Sequence, residues 1–123
     1  MSCLFNSMSH FFPEDSNTIR QRICDYLERG GTIIEGLDTN LILSFERPNY
    51  VAHMRSSGTW GGAIEIQAAC KIWNTKIVVH NIRDRDGSQI EFISTTTYDN
   101  GNNNCDRTIN ITWNGGHYEP IRK

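Results

Sequence analysis

The chain has 123 residues, 37% of them hydrophobic and 21% charged, with a formal net charge of −2 from 12 basic and 14 acidic residues. That length fits one compact domain with a small core, and the charge balance argues against a nucleic-acid binder that works by bulk positive charge. No apolar run reaches the length of about eighteen residues that a membrane-spanning helix needs.

The N-terminal stretch MSCLFNSMSHFFPED has no basic opening and no small-residue cleavage site, so it reads as a poor secretory signal. Within it CLFNSMSHF (3–11) sets Leu4, Met8 and Phe11 at i, i+4 and i+7, which predicts a helix ended by Pro13. SNTIRQRICDYLERGG (16–31) sets Ile19, Ile23, Tyr26 and Leu27 on one face and predicts an amphipathic helix. Ser16 or Asn17 is the expected N-cap and Gly30 the stop. Residues 39–46 predict a short helix, Pro48 a break, and 49–55 a second short helix before Gly58. GGAIEIQAACKIWN (61–74) predicts a helix opened by two glycines and buried on much of its girth.

From there the period changes to two. KIVVHNI (76–82) is β-branched and apolar, as expected for the central strand of a sheet. IRDRD (82–86) alternates in sign and reads as solvated loop or strand edge. SQIEFISTTTY (88–98) predicts a second strand, YDNGNNNCDR (98–107) a polar loop, and TINITWN (108–114) a third strand. HYEPI (117–121) predicts a fourth, kept to an edge by Pro120. Helices followed by three or four strands predict an α+β or mixed α/β domain, with its sheet built from the C-terminal half.

Cys3, Cys24, Cys70 and Cys105 form no CxxC pair and have no metal-like spacing. With no secretory signal they read as reduced thiols of a cytoplasmic protein. Cys24 lies beside Ile23 and is expected in the core, and Cys105 in an exposed loop. Cys3 is placed at the first turn of its helix, where unpaired N–H groups and the helix dipole stabilise a thiolate. From position alone, a free thiol at a frayed terminus is the simpler reading. His10 and His53 read as surface residues and His80 as a structural imidazole. His117 differs, because Gly115 and Gly116 let the backbone turn sharply before it. Glu119 stands two residues on, on the same side of an extended segment, where a carboxylate can orient an imidazole. Most such pairs are surface decoration, and a distant nucleophile such as Cys3 is what would give this one a role. No metal site and no cofactor site is expected, since nothing like HExxH or a phosphate-binding loop is present.

The stretches CLFNSMSH, MRSSGTWGGAIEIQAACKIWNTKIVVHNI and NGGHYEPI, in that order, resemble the ovarian-tumour (OTU) family of cysteine proteases. The middle stretch, Gly58 to Ile82, carries the most specific match, to a pattern of the form G-x-W-G-G-x-x-E. The resemblance spans nearly the whole chain. It implies a papain-like OTU fold over a single domain, 1–123, with N-terminal helices packed on a sheet of three to five strands. It implies a thiol-dependent deubiquitinase that cuts the isopeptide bond after the Gly-Gly end of ubiquitin, or of ubiquitin-like modifiers. Ubiquitin or its conjugates are then the expected partner, with no nucleic acid and no membrane, and the chain is expected to be a monomer. Cys3 is the implied nucleophile, His117 the general base and Glu119 the orienting acid, where the family commonly has Asn or Asp. Thr59, Trp60, Gly61, Gly62 and Trp113 are the implied walls of the channel for the Gly-Gly tail, although core packing accounts equally well for the two tryptophans. The family's Asp-Gly run before the cysteine has no counterpart ahead of Cys3, as in a domain truncated just before its nucleophile. The short length resembles compact viral or mobile-element members. That departure leaves two further readings: a weak or inactive ubiquitin-binding module, and a thiol protease acting on its own polyprotein.

Overall fold

The computed structural model describes residues 3–56, 58–85, 89–101 and 105–121. Five helices come first among the described residues: α1 (Cys3–Ser9), α2 (Ser16–Glu28), α3 (Thr39–Glu46), α4 (Tyr50–Met54) and α5 (Ala63–Trp73). Four strands follow: β1 (Thr75–Arg85), β2 (Gln89–Tyr98), β3 (Arg107–Trp113) and β4 (Tyr118–Pro120). They form one mixed sheet in the order β2-β1-β3-β4. This is the α+β architecture that the pattern of periods predicts.

α1 is seven residues long, too short to hold its shape alone. Its Leu4, Phe5 and Met8 are almost wholly buried, and burying a side chain of that size contributes about 1.5–3 kcal/mol. Packing against α2 and β4, not helix propensity, therefore fixes α1 and the cysteine at its start. The helix ends at Ser9 rather than at residue 11. The N–H groups of Phe11 and Phe12 both turn back to the Met8 carbonyl, at 2.9 and 3.1 Å. Pro13 disfavours helical backbone at Phe12, and the Phe12 ring turns inward to stack on Trp73, 4.7 Å between centroids.

α2 buries Ile19, Ile23, Cys24 and Leu27, the stripe its sequence marks out. Its cap is Asp15 rather than Ser16 or Asn17: the Asp15 carboxylate accepts the Thr18 N–H at 2.7 Å. That bond holds the Asp15 carboxyl below the usual carboxylate range. Cap identity depends on where the helix starts, and periodicity locates a start only to within a residue or two. α5 opens on Gly62, whose N–H donates to the Glu65 carboxylate at 2.7 Å.

β1 takes the central place expected of its apolar run, antiparallel to β2 and parallel to β3. It is longer than the apolar run, because pairing with β2 continues past a register slip at Asn81/Ile82 as far as Arg85↔Gln89. Residues 82–85 of the alternating-charge stretch are thus strand, and Asp86 lies outside the described residues. Ile77 and Val79 of β1 and Ile109 and Ile111 of β3 face the helices and close the core. β4 is a three-residue edge paired to β3, with Pro120 at its end.

Candidate active site

Cys3 sits in the first turn of α1, and its carbonyl accepts the Ser7 hydroxyl at 2.8 Å. Its side chain is mostly buried, and its exposed part lines a cleft of about 460 Å³ between α1 and β4. The α1 wall consists of Cys3, Asn6, Ser7 and His10. Cys3, Asn6 and Ser7 are positions i, i+3 and i+4 of the helix, and His10 follows just past its end. The facing wall is His117, Tyr118, Glu119 and Pro120.

The β3–β4 connection delivers His117 to that wall. Trp113 pairs with Tyr118, and the Asn114 N–H donates to the His117 carbonyl at 3.2 Å. The Asn114 side chain accepts the Gly116 N–H at 3.0 Å. Gly115 has φ +97°, a backbone state that a side chain would strain, so the turn depends on that glycine. The alternation of β4 then sends Tyr118 inward and leaves His117 and Glu119 on the open side. His117 Nε2 and Glu119 Oε1 stand 3.9 Å apart. That spacing is too long for a direct hydrogen bond, although it keeps the carboxylate beside the ring. Tyr118 packs its ring 4.4 Å from that of Trp113. Burial, and after it the proximity of Tyr98, Cys3 and Glu65, push its phenol up to about 12, so it is neutral at physiological pH.

The Thr59–Gly62 loop approaches α1 from another side. A Cβ on Gly61 would stand 2.7 Å from Leu4 Cδ2 and 3.0 Å from Phe5 Cζ, so only glycine lets this backbone lie against the residues next to Cys3. Buried Arg20 anchors the same loop: it donates to the Thr59 carbonyl at 2.9 Å and to the Met54 carbonyl at 2.7 Å. Glu65 anchors the far end through Gly62, and its other oxygen accepts the Tyr50 hydroxyl at 2.6 Å. Burial pushes the Glu65 carboxyl above its ordinary value, with the bonds from Tyr50 and Gly62 pulling the other way.

The structure therefore brings Cys3, His117 and Glu119 to one cleft. Thr59, Trp60, Gly61 and Gly62 line a separate recess of about 450 Å³ with Tyr50 and His53, joined to Cys3 through the packing of Gly61 on Leu4 and Phe5. Trp60 is half exposed, so core packing does not account for it. Trp113 packs at a tilt on Tyr118 and faces a third recess with Asn81, Arg83 and Ile93, which neither Cys3 nor His117 lines. Met1 and Ser2, the residues ahead of the cysteine, lie outside the described residues. Asn6 and His10 are on the cleft wall, although His10 reads from its sequence context as a surface residue. The signal was available in the helical spacing from Cys3. His53 is exposed, and His80 is held by Asn110 Oδ1 at 3.0 Å. Among the described residues no group of three or more His, Cys, Asp or Glu side chains could hold a metal ion, and no helix is long and apolar enough to cross a membrane.

The model of the OTU-like cysteine protease family matches residues 2–118. No curated protein matches the chain in sequence. Solved structures share its fold. The viral OTU domain protease from Dera Ghazi Khan virus is 22% identical with a TM-score of 0.72, over 98% of this chain and 74% of that one. An OTU deubiquitinase from Wolbachia pipientis wMel, solved bound to ubiquitin, is 18% identical with a TM-score of 0.66, over 99% and 90%. The OTU domain of OTUD1 is 20% identical with a TM-score of 0.67, over 99% and 79%.

Proposed function

The chain belongs to the OTU-like cysteine protease family, and from that premise we propose that it is a thiol-dependent deubiquitinase that hydrolyses the isopeptide bond after the Gly-Gly end of ubiquitin. The observation that carries this reading is the shared cleft: Cys3 and His117, from opposite ends of the chain, line one cavity. A relative of the same fold solved with ubiquitin supports the choice of modifier.

Cys3 is the nucleophile in this reading. Glu119 faces Nε2 of His117, which leaves Nδ1 to take the Cys3 proton. The thiolate adds to the carbonyl carbon of the terminal glycine, and backbone N–H groups at the start of α1 receive the oxyanion. Collapse breaks the C–N bond as His117 returns the proton to the leaving lysine amine. Water, deprotonated by His117, then hydrolyses the thioester and frees the thiol. The Gly-Gly tail approaches past Thr59, Trp60, Gly61 and Gly62, where Gly62 has open space on the side a side chain would fill. Trp113 acts by supporting Tyr118 beneath the histidine. The chain works in a reducing compartment, as a free thiol nucleophile requires.

The test is ubiquitin carrying an electrophile at its C-terminus, followed by intact mass. One ubiquitin added at Cys3 is the expected result. Folded protein that forms no adduct would overturn the reading in favour of a module that binds ubiquitin without cutting it, or of a thiol protease for another substrate.

A further inference from the structure

The chain has two Asn-Gly pairs, Asn100–Gly101 and Asn114–Gly115. Such a pair can react with itself. The glycine nitrogen adds to the side-chain carbonyl carbon of the asparagine, because glycine has no side chain to crowd the approach. The fold treats the two pairs in opposite ways. At the first, the nitrogen that would attack is occupied: the Gly101 N–H donates to the Asp99 carboxylate at 2.9 Å. Asn100 is buried, and its amide donates to Asn74 Oδ1. Lys71 Nζ donates to the Asn100 carbonyl at 2.9 Å, and Lys71 and Glu35 close around Gly101. At the second, the Gly115 N–H meets no acceptor among the described residues. Asn114, Gly115 and Gly116 are exposed, and nothing lies within 4 Å of the place a Cβ on Gly115 would take. Asn114 Oδ1 accepts the Gly116 N–H at 3.0 Å, a turn that folds the side-chain carbonyl back over the peptide between them. The same bond draws charge toward Oδ1, where charge gathers when a nitrogen adds to Cγ.

We propose that Asn114–Gly115 is a self-modification site, which converts to an isoaspartyl linkage and so withdraws His117 from the cleft. The Gly115 nitrogen, its proton taken by hydroxide, forms a bond to Asn114 Cγ. The bond from Cγ to the side-chain nitrogen breaks, and ammonia leaves with a proton returned by water. Water then opens the cyclic imide at either carbonyl, giving aspartate or isoaspartate at position 114. Across both steps one water enters and one ammonia leaves. Isoaspartate adds a carbon to the main chain of the short turn between Trp113 and Tyr118. It also makes the acceptor that holds Gly116 part of the main chain and places a new carboxylate beside the turn. The effect on turnover rests on the deubiquitinase reading: a reacting group misplaced by about 1 Å costs about 10²-fold.

The experiment ages the folded chain for days in mildly alkaline buffer at body temperature. Samples are taken for peptide mapping and for cleavage of a ubiquitin–coumarin amide, with urea-unfolded chain as the control. The peptide holding Asn114 gains the mass of an amide-to-acid change, while the peptide holding Asn100 keeps its mass until the chain is unfolded. Turnover falls in step with the isoaspartate fraction, by about 10²-fold where conversion is complete. Asn114→Ser keeps an oxygen acceptor for Gly116 and cannot form the imide, so against its own starting rate it loses no turnover with time. Asn114 that keeps its mass in the folded chain while the unfolded control converts overturns the site. Isoaspartate that accumulates with turnover unchanged, or a decline that Asn114→Ser shares, overturns its effect on His117. Fresh protein with no turnover overturns the deubiquitinase reading instead, and the masses still decide the modification.

Discussion

The guanidinium carbon of Arg20 lies 4.4 Å from the centroid of the Phe5 ring, and this contact joins the helix that carries Cys3 to the loop that carries Trp60. Arg20 is buried on the apolar face of α2, and its nitrogens reach the Met54 and Thr59 carbonyls. Three elements, α1, the end of α4 and the Thr59–Gly62 loop, thus meet at one side chain. Arg20→Met keeps the stem and removes the donors, leaving two carbonyls without them. Each carbonyl left unpaired costs about 1–3 kcal/mol, so the expected loss is roughly 2–6 kcal/mol, measured by urea unfolding. A variant as stable as wild type would show that water or another donor replaces the guanidinium.

Gly61→Ala tests the same junction by sterics. The added methyl meets Leu4 and Phe5 at contact distances that well-packed atoms do not adopt, and both neighbours are buried without room to retreat. Overpacking of this kind costs about 1–3 kcal/mol. Because the displaced atoms adjoin Cys3, activity on ubiquitin substrates should fall more than the folded fraction does. An alanine variant with wild-type stability and rate would mean that the loop does not press on α1.

Within the proposed mechanism Cys3→Ala abolishes turnover, and His117→Ala lowers kcat/KM by about 10²–10⁴, the range of a lost acid–base group. Glu119→Ala has a smaller effect than His117→Ala. At 3.9 Å from Nε2 the carboxylate acts by charge rather than by a direct hydrogen bond, and water can take part of its place. Equal losses in the two variants would give Glu119 a direct role in the chemistry.

Thiol chemistry separates the cysteines. Burial pushes the Cys24 thiol up to about 11 and the Cys70 thiol up to about 12, so at pH 7 both are almost entirely protonated and shielded. Cys3 lines the cleft and Cys105 is half-buried in a loop. Iodoacetamide on the native protein should label Cys3 and Cys105 and spare Cys24 and Cys70 until denaturant is added. Peptide mapping that finds Cys24 labelled as fast as Cys3 would contradict the packing of α2.

These tests fall on residues of unequal legibility. The helices and strands were readable because their apolar spacings are long and regular: Ile19, Ile23 and Leu27 announce α2, and Ile109, Ile111 and Trp113 announce β3. Cys3 and His117 were paired through a resemblance in their surrounding motifs, since no local pattern links residues at opposite ends of a chain. Arg20 was not legible as a buried residue. Its carbonyl partners lie 34 and 39 positions away, and without them a guanidinium at that place reads as solvated. His10 was legible only in phase, because helical spacing puts it on the stripe of Cys3 but cannot say that β4 faces that stripe. The position of Trp113 followed from register: pairing with Tyr118 draws it against the phenol ring and away from the cleft.

Glu65 links the sequence motif to a dependence on pH. Its carboxyl caps α5 and holds Gly62, but burial outweighs the bonds from Tyr50 and Gly62 and the charge of Arg20, so its folded value lies above the ordinary 4.5. The folded state thus binds this proton more tightly than the unfolded state does. The group's contribution to stability is full below 4.5 and is lost as pH rises through the folded value. Glu65→Gln cannot ionise, and its amide can still accept from Gly62 and donate to the Tyr50 oxygen. Melting temperatures of the two proteins from pH 4 to 8 should therefore diverge, with wild type falling relative to Glu65→Gln as pH rises. Parallel curves would show that Glu65 has the same proton affinity folded and unfolded. A wild type that gains on the variant with rising pH would mean that Tyr50, Gly62 and Arg20 together outweigh burial, and that the loop is anchored by a stabilised carboxylate.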